Sequence, residues 1–258
     1  MKLTVLGGAG ACPNPGQGCS GYLVQDGDTS ILLDCGPDIL AVLRQHIDYR
    51  ALTAILISHL HADHTLDLVP YRYGLRYGPG GSGARIPLWM PPGGREFLQG
   101  VASAFGGADE GSAAFFDSVF DVREYDPDRE LAVGRFRVAF HPTHHYLPCW
   151  AMRLQAAHST LAYLADAGPG TPWDGFAESV DLAVCEGTLV DQPAGVDVAS
   201  QGHMTARQAG ELARASRAHR LLLTHLWAEI DLERYRAEAE AGFGSHVDVA
   251  RPGFTVHL

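Results

Sequence analysis

Behind the apolar run at 54–57 the chain crowds three histidines and an aspartate into six residues, His59 to His64, within the stretch "AILISHLHADHTLDL". Imidazoles and a carboxylate gathered behind an apolar segment need something to offset their desolvation, which limits where the fold can put them. The run "AILI" reads as a buried strand and "SHLHADH" as a loop running into a helix, so the cluster stands at a strand end, where α/β sheets display their chemistry. Residues two apart on extended backbone point the same way, so His59 and His61 can grip one ion. Asp63 and His64, further around the turn, can face a second. Unconnected surface histidines are the alternative, and four potential ligands at this spacing argue against it.

Short strand-like runs recur on both sides of the cluster: "KLTVLG", "GYLVQDGDTSILLDCG" with a hairpin turn at Gly27 and Asp28, "IPLWM", "RFRVAFHPT", "CWAMRLQA", "STLAYLADAG", "DLAVCEG", "RLLLTHL" and "FTVHL". Helical patterns lie between them in "PDILAVLRQHI", "TARQAGELARASRA" and "LERYRAEAEAGF". Strands and helices alternate through both halves without a linker, which predicts one α/β domain over 1–258. The Gly/Pro-rich segments Gly7–Gly21 and Tyr77–Gly94 are either active-site loops or ordinary surface loops.

The composition narrows the function classes. With 46% hydrophobic residues in 258, there is enough to fill a substantial core. No apolar run approaches the roughly 18 residues of a membrane span, and "MKLTVLGG" reads as a first strand rather than a leader, so a soluble cytoplasmic protein without membrane partners is expected. The five cysteines are scattered and form no CxxC pair, which suggests neither a disulfide framework nor a cysteine zinc site. A formal charge of −11 argues against a broad nucleic-acid surface. An anionic substrate would then need a local device to hold it.

"SHLHADH" resembles the HxHxDH signature of the metallo-β-lactamase superfamily, and further parts of that pattern follow in order. "ILLDCG" matches the acidic residue ending an earlier strand, so the resemblance implies that Asp34 orients a ligand histidine. "HPTHHYLPCWAMR" offers the third histidine, and the spacing of ribonuclease Z-like members selects His145 over His144. "YLADAG" matches the bridging aspartate, Asp166, and "LLLTHLW" the last histidine, His225. The resemblance runs from the first strand to His225. It implies a four-layer αβ/βα sandwich of two mixed sheets with outer helices. It also implies two divalent metal ions, one on His59, His61 and His145, the other on Asp63, His64 and His225, with Asp166 between them. Nitrogen and carboxylate ligands suit Zn²⁺, and Mn²⁺ or Fe²⁺ can occupy such a set. His61, where di-iron redox members carry Glu, favours hydrolysis. Two such ions about 3.5 to 4 Å apart supply a bridging hydroxide near neutral pH and neutralise charge on an attacked phosphoryl or carbonyl group.

Two further stretches bear on the substrate. Glu186 in "LAVCEGTLVDQ" and His203 in "QGHMTARQAGELA" resemble the Glu and His of phosphodiesterase members of the ribonuclease Z branch, a pair that assists the leaving oxygen. The competing reading makes His203 a helix-capping residue and Glu186 a solvated loop carboxylate. Members that process tRNA carry a long arm, commonly between the third histidine and the bridging aspartate. Here His145 and Asp166 are about twenty positions apart, filled by two strand-like runs. That departure disfavours tRNA and favours small phosphodiesters such as cyclic nucleotides. Hydrolysis of an ester, lactone or thioester by the same fold is the alternative, and a non-enzymatic module with structural metals is a third reading. Members of this family often dimerise, which extends to a homodimer here. Arg72 and Arg76 in "PYRYGLRYGPG", with Arg85 and Arg95 beyond it, form either a phosphate-binding lid or the outward face of a plain amphipathic helix.

Overall fold

The computed structural model describes residues 1–80, 83–105 and 111–258. Gly81 and Ser82, inside the second Gly/Pro-rich segment, lie outside them. The chain begins with β1 (Lys2–Gly7), β2 (Gly21–Asp26) and β3 (Thr29–Leu33), followed by α1 (Ile39–His46), β4 (Ala54–Leu56), the single-turn α2 (Ala62–Thr65), α3 (Leu68–Tyr77), β5 (Ile86–Met90), α4 (Gly94–Phe105), α5 (Gly111–Asp117) and β6 (Phe120–Glu124). The second half contains β7 (Leu131–Val133), β8 (Phe136–Thr143), β9 (Cys149–Ala156), β10 (Ser159–Tyr163), β11 (Leu182–Glu186), α6 (Ala206–Ala215), β12 (Leu221–Thr224), α7 (Leu232–Phe243), β13 (Asp248–Val249) and β14 (Thr255–His257).

These strands make two seven-stranded mixed sheets, ordered β14-β1-β2-β3-β4-β5-β6 and β13-β12-β11-β10-β9-β8-β7. The expected hairpin at Gly27 and Asp28 is present, with Tyr22 opposite Leu33 and Asp26 opposite Thr29. Beyond β3 the first sheet is parallel, and the second is parallel from β10 to β13. Strand alternation sends neighbouring residues into different layers. Ile31 and Leu33 of β3, with Leu222 of β12, enter the apolar layer between the sheets. Leu32 turns the other way, toward Ile39, Leu43, Leu68 and Leu75 of α1 and α3. On the second sheet, Leu221 and Leu223 face Ala209 and Ala213 of α6 and Ala239 of α7. The result is helices, sheet, sheet, helices, the four-layer sandwich expected from the sequence.

Two expectations change. The amphipathic reading of 68–77 is right about the helix but not about Arg72, whose side chain is fully buried. Its Nε donates to the Phe115 carbonyl at 3.0 Å and its guanidinium lies over the Phe115 ring, 4.3 Å from the centroid. Aromatic neighbours brought in from α5 make a lined slot for a cation that periodicity alone turns outward. Strands β6, β7 and β13, absent from the sequence reading, are short and carry exposed residues in β6 and β7, so their pattern is weak. No helix among the described residues is long and apolar enough to cross a membrane. Cys19, Cys35, Cys149 and Cys185 are buried free thiols, and Cys12 is exposed.

Candidate metal centre

Both parallel runs of strands deliver their C-terminal ends to one place. Asp34 follows β3, Ser58 and His59 follow β4, Asp166 follows β10, Glu186 closes β11 and His225 follows β12. Three of these exits pass through left-handed backbone at non-glycine residues: Asp34 (φ 57°), Ala165 (φ 51°) and His225 (φ 62°). Each costs on the order of 1–3 kcal/mol, and such strain concentrates where side chains must be aimed. Glycine supplies the close approaches: a Cβ on Gly36 would collide with the Asp63 carbonyl, and one on Gly168 with that of Gln201. The first Gly/Pro-rich loop closes one side, where Ala11 N donates to Asp63 Oδ2 at 2.8 Å. The second is tied elsewhere: its Pro79 carbonyl accepts from Arg50, its Arg85 donates to the Asp117 carbonyl at the end of α5, and Arg95, just beyond it, reaches the Asp117 carboxylate.

His59, His61, His145 and Asp166 form one group with ligand atoms all within 4.8 Å of one another, and Asp63, His64, Asp166 and His225 form a second that shares Asp166. His145 enters the first group, whereas His144 is exposed and its amide donates to Thr171. Glu186 and His203 stand against the second group, with His225 completing a third cluster. The seven expected ligands, with Glu186 and His203, thus converge on one region.

Hydrogen bonds outside the cage fix what each imidazole offers inside it. His64 Nδ1 donates to Asp34 Oδ2 at 2.7 Å. His145 Nδ1 donates to the Gly202 carbonyl at 2.8 Å. Ser58 Oγ donates to Asp34 Oδ2, so at 3.0 Å it accepts from His59 Nδ1. Each of these rings therefore turns its Nε2 inward, a lone pair wherever the ring is neutral. His59 Nε2 and His145 Nε2 each lie 3.0 Å from His61 Nδ1. His64 Nε2 is buried without a hydrogen-bond partner and lies 3.4 Å from Asp166 Oδ1. Converging lone pairs and two carboxylates repel one another unless cations lie among them, so the residues present fit a pair of divalent ions.

The electrostatics agree. Burial depresses His59, His61 and His145, favouring the neutral imidazole that ligates. Burial would raise Asp63 and Asp166, but the surrounding histidines outweigh it and hold both carboxyls below their ordinary value. His64 goes the other way: burial opposes its charge, yet Asp166 and Asp34 raise it. Asp34, fully buried, accepts from Ser58 N and Oγ, His64 Nδ1 and Tyr163 Oη.

His203 Nδ1 lies 2.9 Å from Glu186 Oε1. Burial alone would lower His203, but the Glu186 carboxylate raises it to about 9. Sequence reasoning missed two residues here. Thr188 Oγ1 sits between Glu186 and His225, and two-thirds-exposed Tyr146 places its ring 5.2 Å from that of His145 and 5.7 Å from that of His203. A threonine two residues past a glutamate and a tyrosine beside a histidine carry no distinctive pattern.

Comparisons with known proteins show the family. A family model described as beta-lactamase superfamily domain matches residues 29–226. The probable metallo-hydrolase YhfI of Bacillus subtilis is 32% identical, covering 98% of each chain. Its crystal structure superposes with a TM-score of 0.85 at 31% identity, over 99% of this chain and 98% of that one. A ribonuclease Z of Methanopyrus kandleri is 25% identical over 100% of this chain and 98% of its own. The crystal structure of the short form of human tRNase Z has the same fold, with a TM-score of 0.73 at 23% identity over 100% and 99%. With a family model matched over residues 29–226 and a relative 32% identical along nearly its whole length, the chain belongs to the metallo-β-lactamase superfamily.

Proposed function

We propose that the chain is a dinuclear metal-dependent phosphodiesterase acting on small phosphodiesters, with Zn²⁺ as the ion that best suits its ligands. The observation that carries this reading is the Glu186–His203 pair at 2.9 Å, set against the second ligand group. His59, His61 and His145 would hold one ion, Asp63, His64 and His225 the other, and Asp166 both. When bound, two such ions supply a strong nucleophile from water near neutral pH and neutralise charge developing on the phosphoryl oxygens.

The chain's own residues do the rest. Asp63 is held by the Ala11 amide and faces His225 Nε2 at 3.0 Å. Glu186 fixes the His203 ring through Nδ1, which leaves Nε2 as the atom to protonate a departing alkoxide. Glu186 raises His203, and cations in the adjacent cage would pull it back toward neutrality, the range where a general acid works best. Tyr146 offers an exposed aromatic face beside that ring. Between His145 and Asp166 the chain is taken up by β9 and β10 and a tight turn at Ala157 and His158, which supports a small substrate over tRNA.

The test is a panel of bis-p-nitrophenyl phosphate, cyclic nucleotides, lactones, alkyl esters and thioesters. Phosphodiesters should be the preferred class, and a chelator should abolish their cleavage. His203→Ala should lower turnover by about 10² to 10⁴-fold for poor leaving groups, and much less for p-nitrophenolate, at unchanged metal content. Full-rate cleavage by a metal-free preparation, or faster turnover of lactones and thioesters, would refute the reading.

A further inference from the structure

We infer that the Thr188 hydroxyl is a joint that sets the ligating tautomer of His225 and the orientation of the Glu186 carboxylate together, coupling one metal half-site to the acid pair. The acid half of this inference rests on the proposed phosphodiesterase reading; the metal half does not. Thr188 is buried, and its Oγ1 lies 2.6 Å from Glu186 Oε2 and 2.7 Å from His225 Nδ1. A carboxylate only accepts, so the single hydroxyl proton points at Glu186. The oxygen must then accept from His225, which puts the imidazole proton on Nδ1. His225 Nε2 is left as a lone pair, 3.0 Å from Asp63 Oδ2 and 3.4 Å from Asp166 Oδ2.

The other carboxylate oxygen completes the connection. Glu186 Oε1 accepts from His203 Nδ1 at 2.9 Å and from the amide of Ala167 at 2.8 Å, the residue next to Asp166. Thr188 lies 3.5 Å from His203 Nδ1, so the histidine bonds the carboxylate in preference to the hydroxyl. Thr188 is itself held independently of its side chain, because its carbonyl accepts from Tyr235 Oη at 3.0 Å. Removing the hydroxyl therefore leaves the backbone in place while releasing both partners. His225 could then rotate or take the other tautomer, and Glu186 would lose one of the bonds that aim it.

Thr188→Val keeps the shape and deletes the hydroxyl; Thr188→Ser keeps the hydroxyl. Metal-free protein is titrated with Zn²⁺ against a chromophoric chelator, with no substrate present. The expected result is that Thr188→Val weakens one of two affinities about 10- to 100-fold, leaves the other within about threefold, and that Thr188→Ser restores both. Wild-type affinities in Thr188→Val, or equal weakness in Val and Ser, would overturn the inference. Should the Val variant fail to fold, Thr188→Ala compared with Ser reads the same difference. In a series of aryl phosphodiesters, Thr188→Val should lose more turnover as the leaving group worsens. A uniform loss across the series would overturn the coupling to the acid pair. If the wild type cleaves no phosphodiester, the proposed function fails while the titration still decides whether Thr188 sets the ligand.

Discussion

The two ligand groups share Asp166 but are built differently. Asp63, His64, Asp166 and His225 are all buried, and each of the two imidazoles is anchored by a side chain that is itself buried, Asp34 or Thr188. In the other group His61 is partly exposed, while the side chains of His59 and His145 are buried. His145 leans on a single backbone carbonyl, and among the described residues the His61 ring has no hydrogen-bond partner outside the cage; only its backbone carbonyl does. Preorganised ligands hold a cation more tightly than ligands that must be gathered. On the proposed assignment the first of these, the deep group, is the better prepared to retain an ion, and the shallow group, with its partly exposed His61, is the one where exchange with solvent is easiest.

The largest effect should come from the residue common to both. Asp166→Asn is expected to drop metal content below one ion per chain and turnover by more than about 100-fold, since partners one step removed already cost 10- to 100-fold. Elemental analysis and kinetics check it, and two retained ions would break the picture of a shared ligand.

Asp34→Ala comes next. It strands four buried donors and should destabilise the fold by about 3–5 kcal/mol, read by denaturant unfolding, while weakening the deep ion most, through His64, and the shallow one less, through Ser58 and His59. Equal weakening of both would show that the two groups are not separately supported.

His61→Ala should weaken only the shallow ion, by about 10- to 100-fold. A mild chelator applied to the wild type should remove the ions in two phases, and a single phase would erase the distinction between the groups.

Asp181→Asn, far along the β10–β11 loop, supplies the smallest effect and a control. Burial opposes its charge, but the Thr160 amide and hydroxyl and His219 outweigh it and hold the carboxyl below its ordinary value. The stabilisation is present above the unfolded carboxyl's pKa, near 3.8, and is lost as pH falls through the lower folded value. Because the group is partly exposed, the variant should lose no more than about 1 kcal/mol near neutral pH. Both ion affinities should stay unchanged.

How much of this was legible in the chain follows the same division between local and distant causes. His59 to His64 announce themselves because one strand end carries them all, and "YLADAG" and "LLLTHLW" because an acidic or imidazole side chain interrupts an apolar run just where a strand must stop. The hairpin at Gly27 and the helix starting at Thr205 are readable for equally local reasons, a turn dipeptide and a capping box. Thr188 was illegible because its meaning depends on His225, 37 positions away. Arg72 was misread because its slot is made by Phe115, on another helix, and helical periodicity contains no information about partners.

The left-handed exits at Asp34, Ala165 and His225 have an evolutionary corollary. Of the three, only Ala165 contributes no side-chain hydrogen bond to the cleft, so it is where selection for heat resistance alone would act first, exchanging alanine for glycine or asparagine and relaxing on the order of 1 kcal/mol of backbone tension. Such a lineage would gain robustness while the Asp166 carboxylate, one residue downstream, lost rigidity.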